Sequence, residues 1–318
     1  MEERELGRTG IRVSRLILGC GNFGGIGSAP EFFGGGESRE DAAAIMDAAW
    51  EQGITTFDTA DAYGGGRSET IIGEWLRAKG RAVRDRIVLA TKVFNPMDAG
   101  EDSGLAPERV RRQLESSLRR LGLERVDLYL THEPDPATPL RETLGAMNGL
   151  VGAGKVGAVG ASNVDRTVLT EGLDTYRFVQ NSYSLLDREA EEEVLPLCAR
   201  HGLGFTPFSP LAGGWLTGKY RRDALPEPGS RMTLRPGPYR HLKNDRVYNG
   251  LEALGERAAA HGVDRATLAV AWLLAQPEVT AVIVGPRRPA HLEPALRALD
   301  LELAPGEAGE LAALFDVG

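Results

Sequence analysis

Residues 54–69 read ITTFDTADAYGGGRSE, which sets an acid, Asp58, and a phenol, Tyr63, five residues apart at the end of a β-rich run. Ile54, Thr55, Thr56 and Phe57 supply the branched and aromatic side chains of a buried strand. A phenol titrates at about 10, too high for efficient proton transfer at neutral pH unless a cation lies beside it. Lys92, just past the run 87–91, can supply that cation. Asp58 would keep the ammonium charged, because an opposite charge within hydrogen-bond reach favours the ionised form. His132, which closes the segment DLYLTH, would orient a substrate oxygen and donate to it. A donating tyrosine facing a carbonyl oxygen serves a reaction in which negative charge develops there, as when hydride reaches an aldehyde or ketone. The hydride itself must come from a cofactor. Gly64, Gly65 and Gly66 are expected to give the phenol freedom to turn, and Asp61 to partner the turn at 64–68.

These four groups form one site only if the chain gathers the ends of their strands. Short β-rich runs at 16–19, 54–57, 87–91, 126–130, 156–160, 178–180, 204–208 and 281–284 alternate with helical patterns. One such pattern spans 107–121, with Val110, Leu114, Ser117, Leu118 and Leu121 on a single face; another spans 188–201. Alternation of this kind demands parallel pairing with crossover helices. Eight evenly spaced units favour a closed (β/α)8 TIM barrel over a doubly wound sheet, in one domain over 1–318. A β-hairpin from 4–6 and 11–13 precedes the first unit, and a long loop rich in Gly, Pro and Arg runs from 209 to 243. Residues just past the C-terminal strand ends of a barrel converge on one mouth. That rule adds Ser162, Asn163 and Gln180, neutral groups suited to a carboxamide, and Phe208, a ring for stacking. Apolar pocket walls are expected from Phe23, Phe32, Phe33 and Trp215.

Composition narrows the class further. The 318 residues are 42% hydrophobic and 26% charged, with 40 glycines spread along the chain, as in a soluble globular protein. A net charge of -8 argues against a nucleic-acid surface. No run approaches the ~18 apolar residues of a membrane span, and the charged start MEERELGRTG has no apolar leader core. Cys20 and Cys198 stand apart in apolar settings with no metal-ligand spacing, which fits a cytoplasmic protein. No metal site is expected: Glu133 and Asp135 stand beside His132, but no HxH follows the first strand. Residues 19–24 spell GCGNFG, the dinucleotide fingerprint, yet the glycines and proline that follow forbid the helix which that motif requires. The sequence assigns no oligomeric state.

Taken together, FDTADAYG around Asp58 and Tyr63, ATK ending at Lys92, DLYLTH ending at His132, GASN at 160–163, QNSYSLLDR from Gln180 and FSPLAGGWLTGKY from Phe208 resemble the aldo-keto reductases over nearly the whole chain. The resemblance implies a (β/α)8 barrel that reduces a small-molecule carbonyl substrate with NADPH, NADH being the alternative. It implies a tetrad of Asp58, Tyr63, Lys92 and His132 with Tyr63 as general acid. Ser162, Asn163 and Gln180 would hold the nicotinamide amide, with Phe208 where the family often has a stacking tyrosine. Gly21 and Asn22 would approach the cofactor, and Ser209, Leu211, Gly213 and Lys219 would line its pyrophosphate. Gly285, Arg287 and His291 would close the site, with Arg287 and Arg288 suited to a 2′-phosphate. That last segment, GPRRPAHLEPA, departs from the family's form, since His291, Pro294 and Ala295 replace its Gln, Glu and Asn. A second reading is a non-catalytic nicotinamide-binding subunit that regulates a partner.

Overall fold

A computed structural model describes residues 1–100 and 103–316. Two short strands, β1 (Glu3–Glu5) and β2 (Arg12–Ser14), pair antiparallel, one residue displaced from the expected hairpin positions. Eight further strands form one parallel sheet: β3 (Leu16–Gly19), β4 (Thr56–Asp58), β5 (Val88–Val93), β6 (Val126–Thr131), β7 (Val156–Ser162), β8 (Phe178–Gln180), β9 (Gly204–Phe205) and β10 (Val282–Val284). Neighbours in the sheet follow chain order, with β10 lying beside β3. The sheet curls until its edges meet. Thr280 N–H donates to Phe205 O at 2.9 Å and Ile283 N–H donates to Pro207 O at 2.9 Å.

Alternation along each strand divides the core into two. Ile17, Ala90, Leu128, Leu130, Ala158, Phe178 and Ile283 face one another inside the curled sheet, where Leu6 and Val13 of the N-terminal segment join them. Leu16, Leu18, Phe57, Leu89, Tyr129 and Val159 face outward under the helices. The inner layer is tightly filled, since a Cβ on Gly160 would lie within 2.7 Å of the Phe178 ring. One inward step beyond this layer stand Asp58, Lys92, His132, Ser162 and Gln180, which share the parity of Thr56, Ala90, Leu130, Gly160 and Phe178. Register staggers them: Asp58 lies opposite Ala90, and Lys92 lies opposite Leu130. The polar layer is therefore the continuation of the apolar one.

Helices cover the outside, and several start where the sequence marks them. Ser38 caps Arg39–Glu51 by accepting from Asp41 N–H, while Pro107 opens Pro107–Leu121 and Gly122 closes it in a left-handed conformation. The expected helix at 188–201 is broken into a turn, Glu189–Glu191, and a helix, Val194–His201. The run Glu191, Glu192, Glu193 concentrates like charge there, and Glu193 leaves the helical region at φ -135°. β9 stops short of its expected end because Pro207 has no N–H to extend the ladder. The loop from 209 to 243 carries three helical turns, Ala212–Thr217, Arg231–Leu234 and Gly237–Leu242. Among the described residues, no helix is long and apolar enough to cross a membrane.

The glycines after Tyr63 do not loosen the chain. Gly64, Gly65 and Gly66 all have positive φ (59°, 65° and 86°), forming a tight turn into the helix Arg67–Lys79. A Cβ on Gly64 would lie 2.7 Å from Gly24 O, so the turn also needs the space. Gly64→Ala is expected to cost about 1–3 kcal/mol of stability, read from chemical denaturation. An unchanged midpoint would show that this turn is not locked.

Candidate active site

At the centre of the polar layer, Lys92 Nζ donates to Asp58 Oδ2 at 2.6 Å and to Thr59 O at 2.9 Å, and approaches Tyr63 OH at 3.4 Å. Gln180 Nε2 donates to the other carboxylate oxygen, Asp58 Oδ1, at 2.8 Å. The ammonium is 2% exposed, so burial alone would lower its pKa; Asp58 and Tyr63 more than offset this and hold it above its ordinary value. Lys92 is thus a fixed cation, 5.0 Å from the centre of the Tyr63 ring. Its backbone is fixed as well, because Asp61 N–H donates to Lys92 O at 3.0 Å.

Tyr63 differs from the sequence expectation. Burial raises its pKa, and the neighbouring Lys92 only partly counters that, so the net shift is upward. The phenol is fully protonated at neutral pH, which suits a proton donor. His132 crosses it edge to face, ring centres 5.4 Å apart. Asn95 Nδ2 donates to His132 Nδ1 at 3.2 Å, so the neutral ring carries its proton on Nε2. Burial and then Lys92 push the imidazole well below its ordinary pKa, keeping it neutral. One neutral N–H and one neutral O–H, backed by one buried cation, therefore border the same space.

That space is a cavity of about 1290 Å³, larger than the ~300–1,000 Å³ of a single small-molecule pocket. Every residue expected from the sequence to serve catalysis or cofactor binding lines it, from Gly21 and Asn22 through Ser162, Asn163 and Phe208 to Gly285, Arg287 and His291. Among the described residues, the non-glycine positions with positive φ are Asn163, Ser209 and Ala212, and all three border the cavity. Gly21 leaves room beside the phenol: a Cβ there would sit 3.5 Å from Tyr63 Cε2. Lys219, Arg231, Arg235, Arg287 and Arg288 bring positive charge to the walls built by the later loops. Burial, then Arg287, lowers the Lys219 ammonium below its ordinary pKa.

Several side chains are already engaged by the protein. Asn163 Nδ2 donates to His132 O and to Glu133 Oε1, both at 3.0 Å. Arg287 Nε pairs with the buried Glu37 at 2.6 Å and Nη1 donates to Gly229 O at 2.8 Å, tying three loops together. His291 Nε2 lies 2.8 Å from Arg288 Nε and its Nδ1 lies 3.3 Å from Arg287 N; a neutral ring accepts at only one of its nitrogens, and the shorter contact aims the second guanidinium. Asp61 does not partner the glycine turn; it is fully buried and neither carboxyl oxygen has a hydrogen-bond partner among the described residues. Burial, then Glu69, raises its pKa well above that of an ordinary carboxyl. Phe23, Phe32, Phe33 and Trp215 do not line the cavity; Trp215 packs on Tyr220 and Tyr248, and Ile26, Leu186, Leu211 and Tyr239 form apolar wall instead. Sequence reasoning missed Asn95, two residues past the end of β5, and Arg231, in the long loop, and set Glu133 aside. No cluster of three or more His, Cys, Asp or Glu that could hold a metal ion occurs among the described residues.

A family profile described as Aldo/keto reductase family matches residues 15–316. The chain belongs to that family. It is 38% identical over 320 residues to the "Uncharacterized oxidoreductase YrpG" of Bacillus subtilis (strain 168), covering 95% of this chain and 92% of the relative. It is 33% identical over 324 residues to the "NADH-specific methylglyoxal reductase" of Escherichia coli (strain K12), covering 97% and 96%. It is also 34% identical over 314 residues to a "Probable voltage-gated potassium channel subunit beta" of Arabidopsis thaliana, covering 95% and 92%.

Because the His132 pKa is lowered, the imidazole should be neutral above that pKa. Nitrogen-15 NMR at pH 6.5 is expected to show the Nε2–H tautomer of His132; an imidazolium signal there would contradict this electrostatic arrangement.

Proposed function

We propose that this chain, as one barrel domain over 1–318, reduces an aldehyde or ketone to an alcohol with NADPH, using Tyr63 as general acid. The observation that carries the reading is the Lys92 ammonium held between Asp58 and Tyr63, beside a His132 whose free proton lies on Nε2. When bound, the nicotinamide cofactor supplies the hydride. His132 Nε2–H and Tyr63 O–H orient the substrate's carbonyl oxygen. As negative charge grows on that oxygen, Tyr63 gives up its proton, and the adjacent ammonium stabilises the phenolate that remains. Asp58 keeps that ammonium charged, and Gln180 and Thr59 O hold the pair in place. Asp58, Lys92 and His132 are buried, so the contacts among them act in a dielectric below that of water.

The cofactor fits what the chain offers. The cavity is large enough for a dinucleotide with a small carbonyl compound, and Lys219 and Arg288 present cations to phosphate. Ser162, the Asn163 carbonyl and the Gln180 carbonyl are suited to the nicotinamide amide, since the nitrogens of both amides are already donated within the protein. Phe208 is suited to stacking, while Gly21, Asn22, Ser209, Leu211, Gly213 and Gly285 let backbone approach the cofactor. Arg288, oriented by His291, favours NADPH. NADH is the runner-up, supported by the Glu37 carboxylate on Arg287 and by the NADH-specific relative. The two cysteines, buried and unpaired, fit a cytoplasmic location. The channel-subunit relatives favour a second reading, a nicotinamide-binding regulatory subunit, but the complete tetrad supports catalysis.

Tyr63→Phe is expected to lower kcat for carbonyl reduction by about 10²–10⁴ while the Kd for NADPH, read by fluorescence quenching, stays within about twofold. NADH titrated alongside is expected to bind the more weakly of the two. Turnover by the variant close to that of the wild type would overturn the role of Tyr63. A sample that binds NADPH yet oxidises it with no aldehyde or ketone would favour the regulatory reading.

A further inference from the structure

We propose that Glu133 determines specificity: its carboxylate accepts a hydrogen bond from a hydroxyl carried by the carbonyl substrate and excludes carbonyl compounds that bear a carboxylate. The proposal rests on the reductase reading, because it names the substrate class of that same site.

Glu133 follows His132 directly and lines the cavity it shares with Tyr63, His132 and Asn95. Its side chain is half-buried and held at one end only. Asn163 Nδ2 donates to Oε1 at 3.0 Å, while the same nitrogen donates to His132 O at 3.0 Å. Asn163 reaches both acceptors from a left-handed backbone, φ 56°, a conformation asparagine adopts more readily than other non-glycine residues. The Asn163 amide thereby clamps the segment that carries His132 and turns one carboxyl oxygen of Glu133 toward itself. Among the described residues nothing donates to the other oxygen, Oε2, which leaves it for a group in the cavity.

The charges around Glu133 are committed elsewhere. Lys92 is spent on Asp58, Thr59 and Tyr63. His132 is kept neutral by burial and Lys92. Arg109 Nη2 donates to Asn95 O at 2.7 Å. Asp135 accepts from Leu105 N–H, Ala137 N–H and the Thr138 hydroxyl. Among the described residues, no cation forms an ion pair with Glu133, and burial alone raises its carboxyl to about 7. A raised carboxyl pKa means a neutral acid below that value and an anion above it. Below about 7 the protonated group can donate to a substrate carboxylate; above it, two like charges would share a partly dry cavity, an arrangement that costs several kcal/mol. A hydroxyl substrate avoids this penalty, since it can donate to either form of the acid. Asp58, the carboxylate of the polar layer, is saturated by Lys92 and Gln180 and is not available for this role.

The test compares kcat/KM for glyceraldehyde, a neutral hydroxyaldehyde, and glyoxylate, an aldehyde whose carboxylate stays ionised, at pH 6 and pH 8 in wild type and E133Q. A ratio of the two substrates does not depend on how much of a preparation is active, so partial misfolding of the variant leaves the test intact. The wild-type preference for glyceraldehyde should rise about tenfold across that range, a change of about 1.4 kcal/mol, and the E133Q ratio should be flat. The same ratio and the same pH dependence in both proteins would overturn the role of Glu133 alone. A wild type that reduces neither these nor any other carbonyl compound would overturn the reductase reading, and this role with it. A cofactor-free readout stands beside it: a carbon-13 carboxyl resonance present in wild type and missing from E133Q should titrate near neutrality. Titration near the ordinary glutamate value of about 4.3 would overturn the proposal.

Discussion

Taking the Lys92 ammonium out of water would cost several kcal/mol if nothing answered its charge. The barrel mouth is arranged to answer it. Asp58 supplies the countercharge at 2.6 Å, Thr59 O takes a second N–H, and Tyr63 OH lies along the third direction. Gln180 then satisfies the far oxygen of Asp58, so the pair carries no orphan acceptor. Removing either ion would leave the other buried and unpaired, at about 3–5 kcal/mol. An ion pair of this kind contributes little net stability relative to well-packed apolar residues; what it fixes here is the position of a cation beside the phenol.

The sheet makes this pair possible by its stagger. Inward-facing side chains stack in layers, and the apolar layer of Ile17, Ala90, Leu128 and Phe178 ends where the polar one starts. Because each strand is offset from its neighbour, Asp58, Lys92 and His132 climb the wall in steps, each one inward position above the residue paired with the last. Outside the barrel, the glycine turn after Tyr63 packs against Gly24 O and holds the phenol over that staircase. The surrounding loops are tied to one another through Glu37, Gly229 and Arg287, which gives the cavity a defined rim.

Much of this was legible in the sequence, for physical reasons that differ from residue to residue. β-rich runs at regular spacing marked the strands, and strand ends marked Asp58, Lys92, His132, Ser162 and Gln180, because topology alone decides where a barrel strand end points. Proline and glycine marked the limits of Pro107–Leu121. What depended on three-dimensional packing was not legible. The glycines after Tyr63 looked like slack and are a locked turn, since sequence does not show that Gly24 O lies against them. Phe23 and Trp215 looked like pocket walls and are core, because an aromatic residue in a loop carries no sign of which way it faces. The Tyr63 pKa went up rather than down because burial outweighs the cation, and burial is a property of the fold. Arg287 looked free for a phosphate, yet its carboxylate partner lies far away in the chain at Glu37.

If the ion pair acts as one unit, its two members must fail together. The most direct measurement is a double-mutant cycle on kcat/KM with Asp58→Asn, Lys92→Met and the combination. The account predicts that the double variant loses about as much as Lys92→Met alone, because Asp58 acts through the lysine. Losses that simply add would contradict it, showing that Asp58 and Lys92 serve the reaction independently.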